Sequence, residues 1–249
     1  MKKISVSTLV TASLLTTISI VLTRVLSVML PIAGTSSLRI DFGSIPIIIT
    51  GILFGPIVGG FSGLVADVVG LIINAQGIPF PGFTISSMLW GIIPGIIYMF
   101  IKSKNSRINF NIINTIFILI ISTGVVKLLY NQNIITFKNS MLYFYNNRIP
   151  NIIIAIYVIV ILVLIMTPII VSMRIKESKS IYSIDKILFT VTVSYVVISM
   201  GLNTLWLSIM FKKGFMILFP IRVLASVINI PISSVIIFTL SKYFKYSNR

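Results

Sequence analysis

Between Phe42 and Ile101 the chain carries a single charged side chain, Asp67. That run of about sixty residues is too long for one membrane crossing and too apolar for the surface of a soluble domain. A spanning helix takes about 20 predominantly apolar residues. Glycines and prolines mark where the run divides: a short helix over Ile45–Phe54, a break at Gly55-Pro56, a helix over Ile57–Ile73, a turn-rich loop from Asn74 to Gly82, and a helix over Phe83–Ile101 closed by Lys102 and Lys104. The whole chain agrees, with 57% hydrophobic residues, 10% charged and a mean hydropathy of +1.09, against about 25% charged in soluble domains.

The same reading predicts a first helix from Ser5 to Leu30, closed by Pro31. It is retained rather than cleaved, because no small-x-small site follows the apolar run. Further apolar runs cover Ile108–Val126, Pro150–Met173, Ile187–Phe211 and Phe215–Leu240, with a polar, aromatic-rich loop over Asn131–Arg148. The expectation is an all-α polytopic membrane protein of about eight apolar segments.

Charge predicts the orientation, because Lys and Arg collect on the cytoplasmic side. With both termini inside, Lys2, Lys3, Lys102, Lys104, Arg107, Arg174, Lys176, Lys179, Lys186, Lys242, Lys245 and Arg249 lie inside. Arg39, Lys127, Lys138, Arg148, Lys212 and Lys213 lie outside, so the balance favours cytoplasmic termini. This distribution also accounts for the +16 net charge without nucleic acid as a partner.

Much chemistry is excluded. The chain has no Cys and no His, so thiolate nucleophiles, Cys/His metal sites and histidine-based triads are absent. Its four acids are Asp41, Asp67, Glu177 and Asp185, and it lacks a phosphate-binding G-x-x-x-x-G-K-[ST] loop. No metal, cofactor or catalytic pair is expected.

An ionisable group inside a span is costly and usually marks a site or pathway. Asp67 falls roughly 15 Å into its helix at ~1.5 Å per residue, near the midplane, either in a site or in a structural ion pair. Arg24 and Arg222 fall nearer the outer face, where each either snorkels to headgroups or faces an outward cavity. Asn203, Trp206 and Trp90 sit in the outer thirds of their helices, where a Trp serves equally as an interfacial anchor. Glycines spaced by four, Gly51, Gly55 and Gly59, and then Gly91 and Gly95, predict close helix packing. Thr8, Ala12 and Thr16 form another small stripe, either packed inside the bundle or presented to a partner helix.

The ordered strings Arg39-Ile-Asp-Phe-Gly-Ser-Ile-Pro-Ile, Gly51-Ile-Leu-Phe-Gly-Pro, Gly63-Leu-Val-Ala-Asp-Val-Val-Gly and Phe80-Pro-Gly-Phe-Thr resemble the substrate-binding (S) component of energy-coupling factor (ECF) vitamin transporters. The folate branch is the nearest fit, through Leu22-Thr-Arg24, Asn203-Thr-Leu-Trp206 and Pro220-Ile-Arg222. The likeness covers about residues 1–102 and 187–246. It implies a six-helix S-component core with an inserted transmembrane hairpin. Residues 1–104 then hold core helices 1–4, residues 105–180 the hairpin and its loops, and residues 181–249 core helices 5–6. The chain departs from the family in that insertion and in having Thr8 and Thr16 where the docking face of the first helix usually carries alanines.

The resemblance further implies capture of folate from outside, with a membrane coupling subunit and two cytoplasmic ATPases supplying the energy; the chain itself is then not an enzyme. The alternatives are an S component for riboflavin or thiamine, or an ion-coupled small-molecule transporter. For a folate site, Asp67 would accept the paired N–H donors of the pterin edge and Asn203 would read its mixed edge. Phe83, Trp90 or Trp206 would stack on the ring. Arg24, Arg39, Arg222, Lys212 and Lys213 would draw in or hold carboxylates. Phe42 and Thr84 belong to the loops placed to cover the ligand. Thr8, Ala12 and Thr16 would be the partner-docking face.

Overall fold

The computed structural model describes residues 5–32, 35–40, 42–75, 78–104, 110–131, 135–138, 141–144, 147–148, 150–174, 182–212 and 214–247. These form helices α1 (Val6–Arg24), α2 (Ser44–Phe54), α3 (Pro56–Ile73), α4 (Pro81–Lys104), α5 (Phe110–Asn131), α6 (Asn151–Arg174), α7 (Ile184–Ser194), α8 (Asn203–Phe211) and α9 (Phe215–Ser247). A π-helical stretch, Tyr195–Leu202, joins α7 to α8. Two small antiparallel sheets complete the described residues: β1 (Val28–Ile32) with β2 (Thr35–Ile40), and β3 (Ile135–Lys138), β4 (Met141–Phe144) and β5 (Asn147–Arg148) in chain order. Six helical stretches are long and apolar enough to cross a membrane; α2 and the stretch Ile154–Met166 of α6 are shorter. The protein is an all-α polytopic membrane protein, as its composition requires.

Two expectations are corrected. The first helix ends at Arg24 rather than Leu30, and the chain runs on into the β1–β2 hairpin. An apolar run alone does not separate helix from strand. Pro31 lies at a shift in the strand register between Leu30 and Pro31, a position that spares the ladder its missing N–H. The segment Asn131–Arg148 is likewise not a plain loop: Ile135-Thr-Phe-Lys and Met141-Leu-Tyr-Phe pair as strands, using the β-branched and aromatic residues that suit a pleated surface.

The chain divides into two compact units. The first comprises Met1–Arg107 with Lys179–Arg249. Its centre is the short helix α2, whose Ile45, Ile47, Ile48, Ile49 and Ile52 are buried. Around it pack α1, α3, α4 and α9. At the α2–α3 corner Gly55 takes φ +91°, and Pro56 opens α3. Helices α3 and α4 meet at the predicted glycines. A methyl on Gly59 would lie 2.7 Å from the Gly51 Cα and 2.8 Å from the Gly91 carbonyl oxygen, so these backbones touch only because no side chain intervenes.

The π stretch resets the phase of its helix. The apolar face of Ile184, Ile187, Leu188, Val191 and Ile198 is buried, as are Lys186, Thr190, Thr192 and Ser194 around it. At 3.6 residues per turn that face would next take in Leu205 and Ile209. These are 42% and 55% exposed, while Thr204 and Leu207 are buried. The wider π turn bonds Asn203 N–H to the Ile198 carbonyl and so rotates α8 relative to a continuous α-helix.

The second unit, Ile108–Ser178, holds α5, α6 and the three-stranded sheet. Phe110, Asn114 and Ile118, four apart on α5, are buried, as are Val160 and Leu164 on α6. The Ser122 and Tyr157 hydroxyls bond at 2.8 Å.

Candidate functional site

The last residue of α1 carries the charge that Asp67 answers. Arg24 is 4% exposed. Its Nη2 donates to Asp67 Oδ1 at 3.1 Å, and its Nη1 donates to the Asn74 carbonyl at 3.2 Å. The Asn74 amide donates back to the Arg24 carbonyl at 3.2 Å. Gly70, one turn after Asp67 on α3, makes room for the guanidinium, since a methyl there would lie 2.6 Å from Arg24 Nε. Asp67 Oδ2 accepts a 2.8 Å hydrogen bond from Thr84 Oγ1 on α4. The carboxylate is thus held from two sides, and its side chain is 10% exposed. Arg24 therefore does not snorkel; it is drawn inward by a charge in an apolar surround, where an unpaired ion is expensive.

A second cluster lies on the other flank of the same two turns of α4. Gly82 and Ser86, four apart, face away from Thr84, about half a turn round the helix. Trp206 of α8 lies against Gly82, where a methyl would meet its ring at 2.5 Å. The indole Nε1 donates to Ser86 Oγ at 3.2 Å. Phe80 packs on Trp206 with ring centroids 5.9 Å apart, and edge-on against Phe83 at 6.0 Å. The Phe80-Pro-Gly-Phe-Thr string therefore serves both clusters: its glycine admits the indole and its threonine holds Asp67.

Of the other predicted residues, Asn203 opens α8, and its Oδ1 is buried without a hydrogen-bond partner among the described residues. Such an atom is costly unless something fills its place. Trp90 packs edge-on against Tyr195 at 4.8 Å, and the Tyr195 hydroxyl meets Ser233 at 3.1 Å. Trp90 therefore lies against the π stretch, one turn beyond Ser86 on the same side of α4. Arg222 is half-buried on α9, with its carbonyl accepting from Ser226. Phe42 is exposed just before α2. The backbone of Arg39 pairs with Met29 in the β hairpin. Lys212 ends α8 in the left-handed conformation; Lys213 and Asp41 lie outside the described residues. In the small stripe of α1, Ala12 and Thr16 are buried, on the side where Ser19 donates to the Gly43 carbonyl at 2.6 Å. Its opposite side exposes Leu14, Ile18 and Val21.

Sequence reasoning missed Asn74, Ser86 and Gly70. Asn74 reads as a loop residue and Ser86 as a helix serine. Only the spacing Asp67-x-x-Gly70, which leaves one turn open beside the acid, signals that a bulky side chain comes there.

The comparisons with known proteins bear on the family and the fold. Residues 7–167 match the family described as ECF transporter, substrate-specific component. The folate transporter FolT of Clostridium novyi (strain NT) is 34% identical over 140 residues, spanning 52% of this chain and 77% of the relative. The crystal structure of FolT bound with folic acid superposes with a TM-score of 0.56 over 96% of this chain and 97% of that one, at 18% identity. At that identity the likeness concerns the fold. With the family match spanning well over half its length, this chain belongs to the substrate-specific components of ECF transporters.

Proposed function

We propose that this chain is a folate-binding S component, capturing the vitamin from outside while a membrane coupling subunit and two cytoplasmic ATPases supply the energy. Both termini are cytoplasmic in this reading, in line with the distribution of Lys and Arg. The identity to a folate transporter supports the ligand. The observation that carries the reading is the buried Asp67 carboxylate, fixed by Arg24 and Thr84 beside the Phe80–Thr84 segment. Each carboxylate oxygen has two acceptor positions. One on each is engaged here, which leaves one on each for the adjacent N–H donors of a pterin edge. Arg24 balances the charge of the carboxylate when the site is dry. The open Asn203 carbonyl is a further acceptor. Phe83 and Trp206 offer ring faces for stacking, and Arg39, Arg222, Lys212 and Lys213 supply positive charge for the glutamate carboxylates.

The test is titration of the purified chain with folic acid, riboflavin and thiamine, followed by intrinsic tryptophan fluorescence. Saturable binding of folic acid alone is expected. Asp67→Asn should weaken it more than ~100-fold and, by stranding Arg24, cost about 3 kcal/mol of stability. The neutralised pair Arg24→Gln/Asp67→Asn should regain stability without regaining affinity. Affinity restored in the neutralised pair would remove Asp67 from the site, and saturation by riboflavin or thiamine instead would keep the family and change the vitamin.

A further inference from the structure

We infer that Asn74 is a positioning residue for the proposed folate site, acting through Arg24. The inference rests on the folate reading for its ligand, but its geometry stands independently. Asn74 is the residue that ends α3, and Arg24 ends α1. The carbonyls in the last turn of a helix have no partner within the helix. Here the two ends satisfy each other: the Asn74 amide donates to the Arg24 carbonyl, and Arg24 Nη1 donates to the Asn74 carbonyl, each at 3.2 Å. The exchange is reciprocal and spans fifty residues of sequence.

Its consequence falls on Asp67. A guanidinium has several donors in one plane. With Nη1 held by the main-chain carbonyl of Asn74 and the side chain lying over Gly70, Nη2 is directed onto Asp67 Oδ1 at 3.1 Å and onto the Asp67 carbonyl at 3.4 Å. The plane is thereby fixed by contacts on two successive turns of α3. Only one Asp67 oxygen is engaged by the arginine, and the other is engaged by Thr84. A guanidinium free to turn would cover both oxygens in the bidentate manner it favours with carboxylates and would compete with the ligand for them. By tying the two helix ends together, the Asn74 amide keeps its own main-chain carbonyl under Nη1; this keeps the pair monodentate, so the acceptor positions needed for a pterin stay open. Asn74 itself is exposed, so its replacement spares the core.

The experiment compares the full chain with Asn74→Ala, and makes the same change in the neutralised pair Arg24→Gln/Asp67→Asn. The first readout needs no ligand: 15N-arginine NMR in detergent, with the Arg24 signals assigned by their loss in the neutralised pair. Hindered rotation of the Arg24 guanidinium is expected in the unmodified chain and faster averaging in Asn74→Ala. The second readout is folic acid affinity, expected to fall about tenfold in Asn74→Ala, equivalent to 1.4 kcal/mol. The third is thermal unfolding: Asn74→Ala should lower Tm in both backgrounds, because its amide bonds the main-chain carbonyl of residue 24, and by more in the unmodified chain, where the guanidinium also loses its fixed setting. Unaltered guanidinium rotation, or an equal Tm loss in both backgrounds, would overturn the inference and leave Asn74 a simple helix end. If the unmodified chain binds no folic acid while the NMR and Tm results come out as expected, the positioning of Arg24 stands and the folate reading fails.

Discussion

Several polar side chains inside the helices of the first unit find partners on other helices: Arg24 on α1 with Asp67 on α3, Asp67 with Thr84 on α4, Trp206 on α8 with Ser86 on α4, and Tyr195 with Ser233 on α9; the Tyr98 and Thr192 hydroxyls and Asn203 Oδ1 have no hydrogen-bond partner among the described residues. In the second unit, Ser122 and Tyr157 tie α5 to α6. Asn114 is 1% exposed, and neither of its amide atoms is hydrogen-bonded among the described residues. The difference teaches what cross-helix polar contacts are for. Each contributes only about 0.6–2 kcal/mol in a membrane, so they are a weak source of stability. Their value lies in direction: each fixes one side chain in one orientation, which a binding site needs. The hairpin of the second unit holds its helices mainly by apolar packing, and its remaining apolar side chains, such as Ile116, Leu119 and Leu162, are exposed on the outside.

The largest effect expected from this contrast is at the glycine contact of the first unit. Gly91→Leu would drive a side chain into the Gly59 backbone, and a loss of about 3 kcal/mol in thermal unfolding is expected. Survival of the fold would mean that α3 and α4 can separate at little cost. Next comes Asn203→Leu, which removes the open acceptor. Folic acid affinity should drop about tenfold to a hundredfold while Tm holds or rises, because a buried unpaired carbonyl disappears. A fall in Tm instead would show that Asn203 is structural. Trp206→Phe keeps a ring over Gly82 and loses the bond to Ser86, and an affinity loss of about fivefold is expected from one neutral hydrogen bond. The smallest effect belongs to the hairpin. Asn114→Leu should leave folic acid affinity within about twofold and raise Tm slightly, since an unpaired buried amide is replaced by an apolar group of similar size. A sharp affinity loss there would erase the distinction between the two units.

Several particulars are legible in the sequence alone. Asp67 stood out because a charge in sixty apolar residues is too costly to be incidental, and the glycines at four-residue spacing marked the α3–α4 contact. The Phe80–Thr84 string and Trp206 were singled out as site residues, and the fold brings them together. Trp90 was grouped with them by depth; it packs on Tyr195, one turn beyond Ser86 on the same side of α4.

By itself the sequence determined the solvent: the shortage of charge leaves a membrane as the medium, and length and breakers then mark where the long apolar run divides, though not that the first helix stops at Arg24. It determined that Asp67 needs a partner, since hydrocarbon offers no water to stand in for one. Tertiary structure alone decided who that partner is. Arg24 lies forty-three residues away, and its choice of Asp67 over the outer headgroups depends on how α1 and α3 are rotated about their axes. The same holds for Trp206, whose direction follows from the π turn before it. In a soluble helix the apolar stripe fixes that rotation. In helices that are apolar all round, sequence periodicity leaves it open, and close packing with a few polar bonds between helices settles it.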